Sequence, residues 1–348
     1  MLQSLVIMRR SPKTYRELFP AVQAPCSSTI CGDAGPSRRR RMTFAAAAVF
    51  AVLFLLAGGS AVWTGERIVL LVSSNEAPFQ EAIGGFREYL GGQGIQAGFE
   101  IFSLDGDPAK AGPAIQKIRA GGARLVVTMG SMATDAALRE ITDIPLVACL
   151  VLRTDNLKKA PNATGVGLEF PLEVQFAWLQ KILPEVRSIG VLYNPSENRK
   201  RIDAAAEIAR KAGLRLVAYE VNAPQDIPAA LDSLSRKAEV LWGVADSLIL
   251  SPTIAKNLLL FSFRNSIPFI GPSATWVKAG ALYSLDRNYA DLGAQCGEMA
   301  QKIMAGAAPS SLSPAAPRKV QYSLNLVTAR QMKIDLPEQL VRGARQTY

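Results

Sequence analysis

From Arg67 onward, apolar runs of strand length alternate with amphipathic stretches of helix length, the rhythm of a parallel α/β sheet. "RIVLLVSS" (67–74) leads into a segment whose Phe79, Ile83, Phe86 and Leu90 share one helical face. "GGQG" (91–94) ends that helix before the strand-like "QAGFEIFSL" (96–104). A helix over about 108–120, the strand "ARLVVTMGS" (123–131), a short helix from Met132 and the strand "IPLVACLV" (144–151) come next. The layout then restarts. "SIGVLYNPSEN" (188–198), the helix "RKRIDAAAEIARKAG" and the strand "LRLVAYEV" (214–221) repeat the arrangement of 67–104. Helices near 224–237 and 251–266 alternate with "AEVLWGVAD" (238–246) and "IPFIGPS" (267–273).

A third section, 280–309, reads as strand, turn and long helix. A Pro/Ser-rich connector, "APSSLSPAAP" (308–317), leads to a last strand and short helices over 319–344. The pattern predicts two similar, doubly wound (Rossmann-like) α/β lobes. Such sheets bind ligands at the carboxyl ends of their strands, so two facing lobes would share one cleft.

Composition changes the picture mainly at the amino end. A chain of 348 residues, 49% apolar and 20% charged, can pack a substantial core. Residues 1–41 hold eight Lys or Arg against only Glu17 and Asp33, and the charge-free 42–61 segment comes after them with an apolar run from Phe44 to Ala57. A basic region, an apolar run and small residues at Gly59 and Ala61 form a secretory signal with a cleavage point after Ala61; the competing reading is an uncleaved membrane anchor. Either way the bulk of the chain is expected in the periplasm or another extracytoplasmic space. Of the formal charge of +10 the leader carries most, which removes the main support for nucleic-acid binding. Cys149 and Cys296 lie in a strand and a helix far apart in sequence, and spacing alone does not say whether they pair.

The reactive chemistry is conspicuous by omission. The sequence contains no His, so imidazole bases, Ser-His-Asp triads and most zinc sites are excluded. "GGQGIQAG" sits between a helix and a strand, the reverse of a dinucleotide-binding context. Ser131 in "MGSMA" lacks the second Gly of a nucleophile elbow. No catalytic residue, metal or cofactor is expected.

The strand ends instead carry hydroxyls, amides and helix starts. Gly130, Ser131 and Thr134 stand where free backbone N–H groups hold a carboxylate or where a plain N-cap belongs. In the second lobe, Ser196 and Asn198 fit the cap of a helix after the Asn-Pro turn, and Tyr193 ends the strand, directed toward the cleft or the sheet's flank. Ser74 and Asn75, in "SSNEAP" (73–78), the first-lobe counterpart of "YNPSEN" (193–198), are further ligand-binding candidates. Asp246 could receive an ammonium or cap a helix; Ser273 and Trp276 could form a pocket wall or pack in the core.

The order of these features resembles the ABC-transporter substrate-binding protein family with the type I periplasmic-binding-protein fold, including its tryptophan- and tyrosine-binding members. The resemblance rests on "VTMGSMATDAA" with "IPLVACLV", on "NATGVGLEFPLEVQFAWLQKILPEVRSIGVLYNPSEN", on "GALYSLDRNYADLGAQCGEMAQKIMAGAAP" and on "LNLVTARQMKIDLPEQLV". It implies a non-enzymatic, monomeric receptor that closes two hinged lobes on a small solute, an amino acid or related carboxylate, and presents it to an ABC permease. It places a carboxylate-binding turn at Gly130, Ser131 and Thr134, and second-lobe contacts at Tyr193, Asn194, Ser196, Asp246 and Ser273. It also places lobe crossings near 162–170, 281–286 and after Ala308. "LRTDN" (152–156) departs from the family's Thr-Asp-Pro turn, and the 246–269 run looks like a subgroup lining. The expected division is a leader at 1–61, a first lobe of 62–165 with about 283–312, and a second of 166–282 with about 313–348. Two rivals remain at this level: a tethered sensory domain of the same fold, and an extracytoplasmic enzyme working without His.

Overall fold

The computed structural model describes residues 67–348; the leader and its signal segment lie outside them. In the first sheet, β1 (Arg67–Val72), β2 (Gly98–Ser103), β3 (Leu125–Met129), β4 (Leu146–Val151) and β5 (Ala163–Gly167) run parallel in the order β2-β1-β3-β4-β5. Helices α1 (Ala77–Gly92), α2 (Ala111–Ala120) and α3 (Ser131–Glu140) connect its first four strands. The chain crosses to α4 (Leu172–Ile182) and builds β6 (Ser188–Tyr193), α5 (Pro195–Lys211), β7 (Arg215–Glu220), α6 (Ile227–Ser235) and β8 (Val240–Trp242). It continues through α7 (Pro252–Asn265), β9 (Phe269–Gly271), α8 (Ala274–Lys278) and β10 (Tyr283–Arg287). The core order of the second sheet, β7-β6-β8-β9-β10, reproduces the first. The internal repeat expected from the hydrophobic pattern is therefore a repeat of topology.

Beyond β10, α9 (Tyr289–Met304) returns to pack on α1, and the chain then re-enters the second sheet as β11 (Val320–Leu324). This strand pairs antiparallel to β10; α10 (Leu326–Gln331), α11 (Glu338–Gly343) and β12 (Gln346–Thr347) complete the fold. The segment of about 283–312 expected in the first lobe thus divides. β10 belongs to the second sheet, held by its pairing with β9 and β11, and only the part from α9 onward joins the first. The return crossing falls at Asn288 rather than over 281–286. Ala315 still bonds to β5 through Gly165 and Gly167, so the third crossing spans 316–319.

Each sheet is covered on both faces, which is why its strands read as unbroken apolar runs. Ile68, Leu70 and Val72 face α1 and α9, while Val69 and Leu71 face α2 and α3. The α1–α9 contact needs glycine: a Cβ on Gly85 would lie 1.9 Å from the Ala290 carbonyl oxygen, and one on Gly293 1.9 Å from that of Ala82. In the second lobe α4 and α5 cover one face and α6 and α7 the other. Burying a large side chain such as Phe86 or Phe176 contributes on the order of 2 kcal/mol. Cys149 and Cys296 are both buried and free. Among the described residues no helix is long and apolar enough to cross a membrane.

Candidate functional site

A cavity of about 1510 Å³ opens at the carboxyl ends of the second sheet's strands, faced by the first lobe's 152–159 loop. Its back wall is β10. Tyr283, Leu285 and Arg287 line the cavity, as the two-residue period of a strand dictates. The intervening Ser284 and Asp286 are bonded to each other and, through Asp286, to Ser323 on β11. The side walls come from Trp242 at the end of β8, from Phe176 on α4 and from Phe170 in the first crossing. Phe176 meets Trp242 edge-on, with ring centroids 5.4 Å apart. Gln175 fixes the indole by accepting from Trp242 Nε1 at 3.2 Å while donating to the Phe170 carbonyl at 2.7 Å. The first lobe reaches in from a bulge at the end of β4, where Leu150 takes φ 59°, a costly conformation for a branched residue. Beyond it Leu152 stands exposed on the rim, and Arg153 Nη2 donates to the Glu197 carbonyl at 2.9 Å across the cleft.

The electrostatics of this wall are one-sided. Seven Lys or Arg and four Asp or Glu line the cavity. Arg287 donates through Nε to the Leu168 carbonyl at 2.8 Å and through Nη1 to that of Pro272 at 3.1 Å, so it ties the first crossing to the end of β9. Its guanidinium lies 5.4 Å from the Phe170 ring centroid. Burial lowers its pKa, and it forms no salt bridge with any described carboxylate. Arg201 on α5 pairs with Glu169 and lies 5.8 Å from the Trp242 ring centroid, yet its Nε is buried with no hydrogen-bond partner. Tyr283 is 1% exposed, burial pushes its hydroxyl pKa well above the usual tyrosine range, and that hydroxyl makes no hydrogen bond to a described residue.

The model of the family described as ABC transporter substrate binding protein matches residues 68–348, nearly all of the described chain. The chain belongs to the ABC transporter substrate-binding protein family. Proteins of this family bind small solutes and deliver them to a permease. A tyrosine-binding protein of Clostridioides difficile (strain R20291) is 26% identical over 195 residues, which is 52% of this chain; the match takes in only 55% of that protein's length. Among solved structures, the ligand-free, open form of a substrate-binding protein with adhesive properties from Clostridium difficile superposes with a TM-score of 0.69 at 21% identity, covering 81% of this chain and 98% of that one. A domain from Streptococcus pneumonia in complex with L-Trp gives 0.59 at 21% identity, covering 82% and 100%. Both likenesses speak to the fold, two parallel α/β lobes of the type I periplasmic-binding-protein class.

In this substrate-binding protein the residues singled out at strand ends are mostly occupied by architecture. Ser196 and Asp246 line the cavity, but the Asp246 carboxylate already accepts four N–H groups, from Asn194 N at 2.7 Å, Asn198 Nδ2 at 2.9 Å, and Leu248 N and Ile249 N at 3.1 Å each. It knots two turns together and has no lone pair left for an ammonium, correcting the ligand-facing alternative. Tyr193 turns away from the cleft: it is buried in the α4/α5-side core and donates from its hydroxyl to Glu220 at 3.0 Å. Asn194, rather than Ser196 or Asn198, caps α5, accepting from Ser196 N at 3.0 Å; buried Asn198 donates to Ala245 and Asp246. Trp276 packs on Phe269 in the α6/α7-side core, with centroids 5.5 Å apart, and Ser273 starts α8 without a side-chain cap; neither lines the cavity.

The first-lobe candidates are likewise not in the cavity wall. Gly130 occupies the N-cap of α3 at φ 94°, the place expected for Ser131. Buried Ser73 supplies the cap hydroxyl, accepting from Ala133 N at 3.0 Å. Ser131 Oγ accepts from Leu152 N at 3.2 Å, and the Thr134 hydroxyl donates to the Gly130 carbonyl at 2.8 Å. Ser74 Oγ accepts from Glu76 N at 3.3 Å, and Asn75 donates to Asp105 at 2.6 Å. The residues that do build the wall, Arg201, Trp242, Gln175, Tyr283 and Arg287, were not foreseen. The signal available for Arg287 was the alternation Tyr283-Leu285-Arg287, which puts a charge on an otherwise apolar strand face.

Proposed function

We propose that this protein is an exported receptor that binds one small organic carboxylate, an amino acid or a related acid, in the interlobe cavity and hands it to an ABC permease. The observation that supports it best is the cavity itself: an aromatic wall with uncommitted guanidinium N–H groups, at the strand ends of one lobe and beside the chain crossings to the other. Its volume exceeds the roughly 300–1,000 Å³ of an enclosed small-molecule site. The walls therefore have to approach before a solute is surrounded. Rotation at the crossings near 168–171, 288 and 316–319 would bring the 152–159 loop and exposed Leu152 down on the solute. A ligand touching both walls favours that closed form by its differential affinity alone. The names of similar proteins, a tyrosine-binding protein and a domain bound to L-Trp, fit an aromatic-walled carboxylate site. Export through the 42–61 segment, periplasmic residence and a monomeric state belong to the same proposal.

Native mass spectrometry of the gently purified protein tests it. One acid of low mass per chain, released chemically unchanged, is the expected result. Conversion of that compound during incubation would favour an enzyme, and the absence of any bound solute after screening a broad panel of carboxylates would defeat the receptor assignment.

A further inference from the structure

We infer that the ligand of this cavity is a net anionic acid with a flat apolar body and no ammonium group, its carboxylate held by Arg287. The inference rests on the receptor reading above and narrows its solute class. A zwitterionic amino acid needs two partners, a cation for its carboxylate and an unspent acceptor for its ammonium. The cavity supplies the first, while the acids of its inner wall are already engaged and only Asp155 on the rim loop stands open.

The four acids of the lining make the point. Asp246 is saturated by four N–H donors. The Glu197 carboxylate accepts from Ser247 through both the backbone N–H and the hydroxyl. Glu169 is neutralised by its ion pair with Arg201. Asp155 stands exposed in the rim loop that also carries Arg153, Lys158 and Lys159. On the donor side capacity remains: Arg287 has no carboxylate partner and leaves Nη2 without a hydrogen bond, and Arg201 Nε is buried and unpartnered. Arg287 has no ion pair of its own: of the carboxylates that act on it, Asp286 is bonded to Ser284 and Ser323 and Glu169 is paired with Arg201. A zwitterion's ammonium would have to compete with Arg201 for Glu169, whereas a des-amino acid makes no such demand. With Nε given to Leu168 and Nη1 to Pro272 and Leu285, the carboxylate is met by the N–H groups of Arg287 Nη2. The edge-on Phe176–Trp242 pair and the Phe170 ring suit a planar apolar body on the same wall.

Calorimetry on the full chain with matched pairs tests the inference: 3-phenylpropionate against L-phenylalanine, indole-3-propionate against L-tryptophan, and 3-phenylpropanamide as the uncharged control. The expected result is that each des-amino acid binds at least tenfold more tightly than its amino acid, and 3-phenylpropionate at least tenfold more tightly than the amide. Arg287→Gln should abolish the preference for acid over amide, and Arg287→Lys should retain part of it. The comparison within the wild-type chain needs no variant, so misfolding of either substitution leaves the test intact. If an amino acid binds as tightly as its des-amino partner, the inference fails while the receptor reading stands. If neither acids nor amino acids bind, both fail together.

Discussion

The strand-end turns and the hinge-side wall both carry polar residues, and they use them in opposite ways. At the turns, Ser73, Thr134, Asn194, Asn198 and Asp246 are bonded to backbone or to one another, so their hydrogen bonds hold loops in place. On the wall, Arg201 Nε is buried without a hydrogen-bond partner, and Arg287 is free of any ion pair. A polar group at a strand end is commonly a cap, because helix starts leave N–H groups that need acceptors. A buried donor left unmet costs about 1–3 kcal/mol. The candidate site is therefore better located by what is left unpaired than by where polar residues cluster.

This contrast can be broken most sharply at Asp246. Replacing it with Ala leaves its N–H donors without their acceptor, and urea unfolding should show a stability loss of about 3 kcal/mol. If Asp246 were instead reserved for a ligand's ammonium, affinity would fall with the unfolding midpoint unchanged. Next in size is Ser73→Ala, which removes the hydroxyl cap of α3 and should cost about 1 kcal/mol in the same assay. Tyr193→Phe should cost about 0.5–1.5 kcal/mol through the lost bond to Glu220. It should leave ligand affinity within a factor of two by calorimetry; a tenfold fall would return Tyr193 to the cleft.

A last prediction concerns the third crossing. Burial raises the Asp291 carboxyl pKa, but hydrogen bonds from Arg318 and Lys319 more than offset this and hold it below the usual carboxylate range. A depressed folded-state pKa contributes stability that is complete above the unfolded value of about 3.9 and is lost as pH falls through the lower folded value. The melting temperatures of the wild type and Asp291→Asn should therefore differ at pH 7 and converge in acid. Parallel curves at all pH values would show that the ion pair does not tether 316–319 to α9.

Much of the fold was legible because both sheets are buried on both faces, so strands such as "RIVLLV" and "SIGVLY" announce themselves as apolar runs between amphipathic helices. β5 was harder. Its "ATGVG" carries two glycines and looks like a crossing, yet Gly165 lies so close to β4 that a Cβ would sit 2.1 Å from the Ala148 carbonyl oxygen. β10 is legible as a strand from its own residues, but its place in the second sheet is set by tertiary pairing with β9 and β11. At the site, the sequence points to the strand ends, where the cavity opens in the second lobe, but not to which side chains line it. Asp246 looks available until its partners 52 and 48 residues away are seen to fill it. Arg287 ends β10, and the pairing of that strand sets it in the cavity wall.

The most direct test of the receptor account is small-angle X-ray scattering of the full chain titrated with the acid that binds most tightly. A fall in the radius of gyration that saturates together with calorimetric binding in the wild type, and is absent for Arg287→Gln at the same acid concentration, is the predicted result. Saturable binding with no contraction, or the same contraction in the Arg287→Gln variant, would contradict a receptor whose lobes close on a carboxylate held at Arg287.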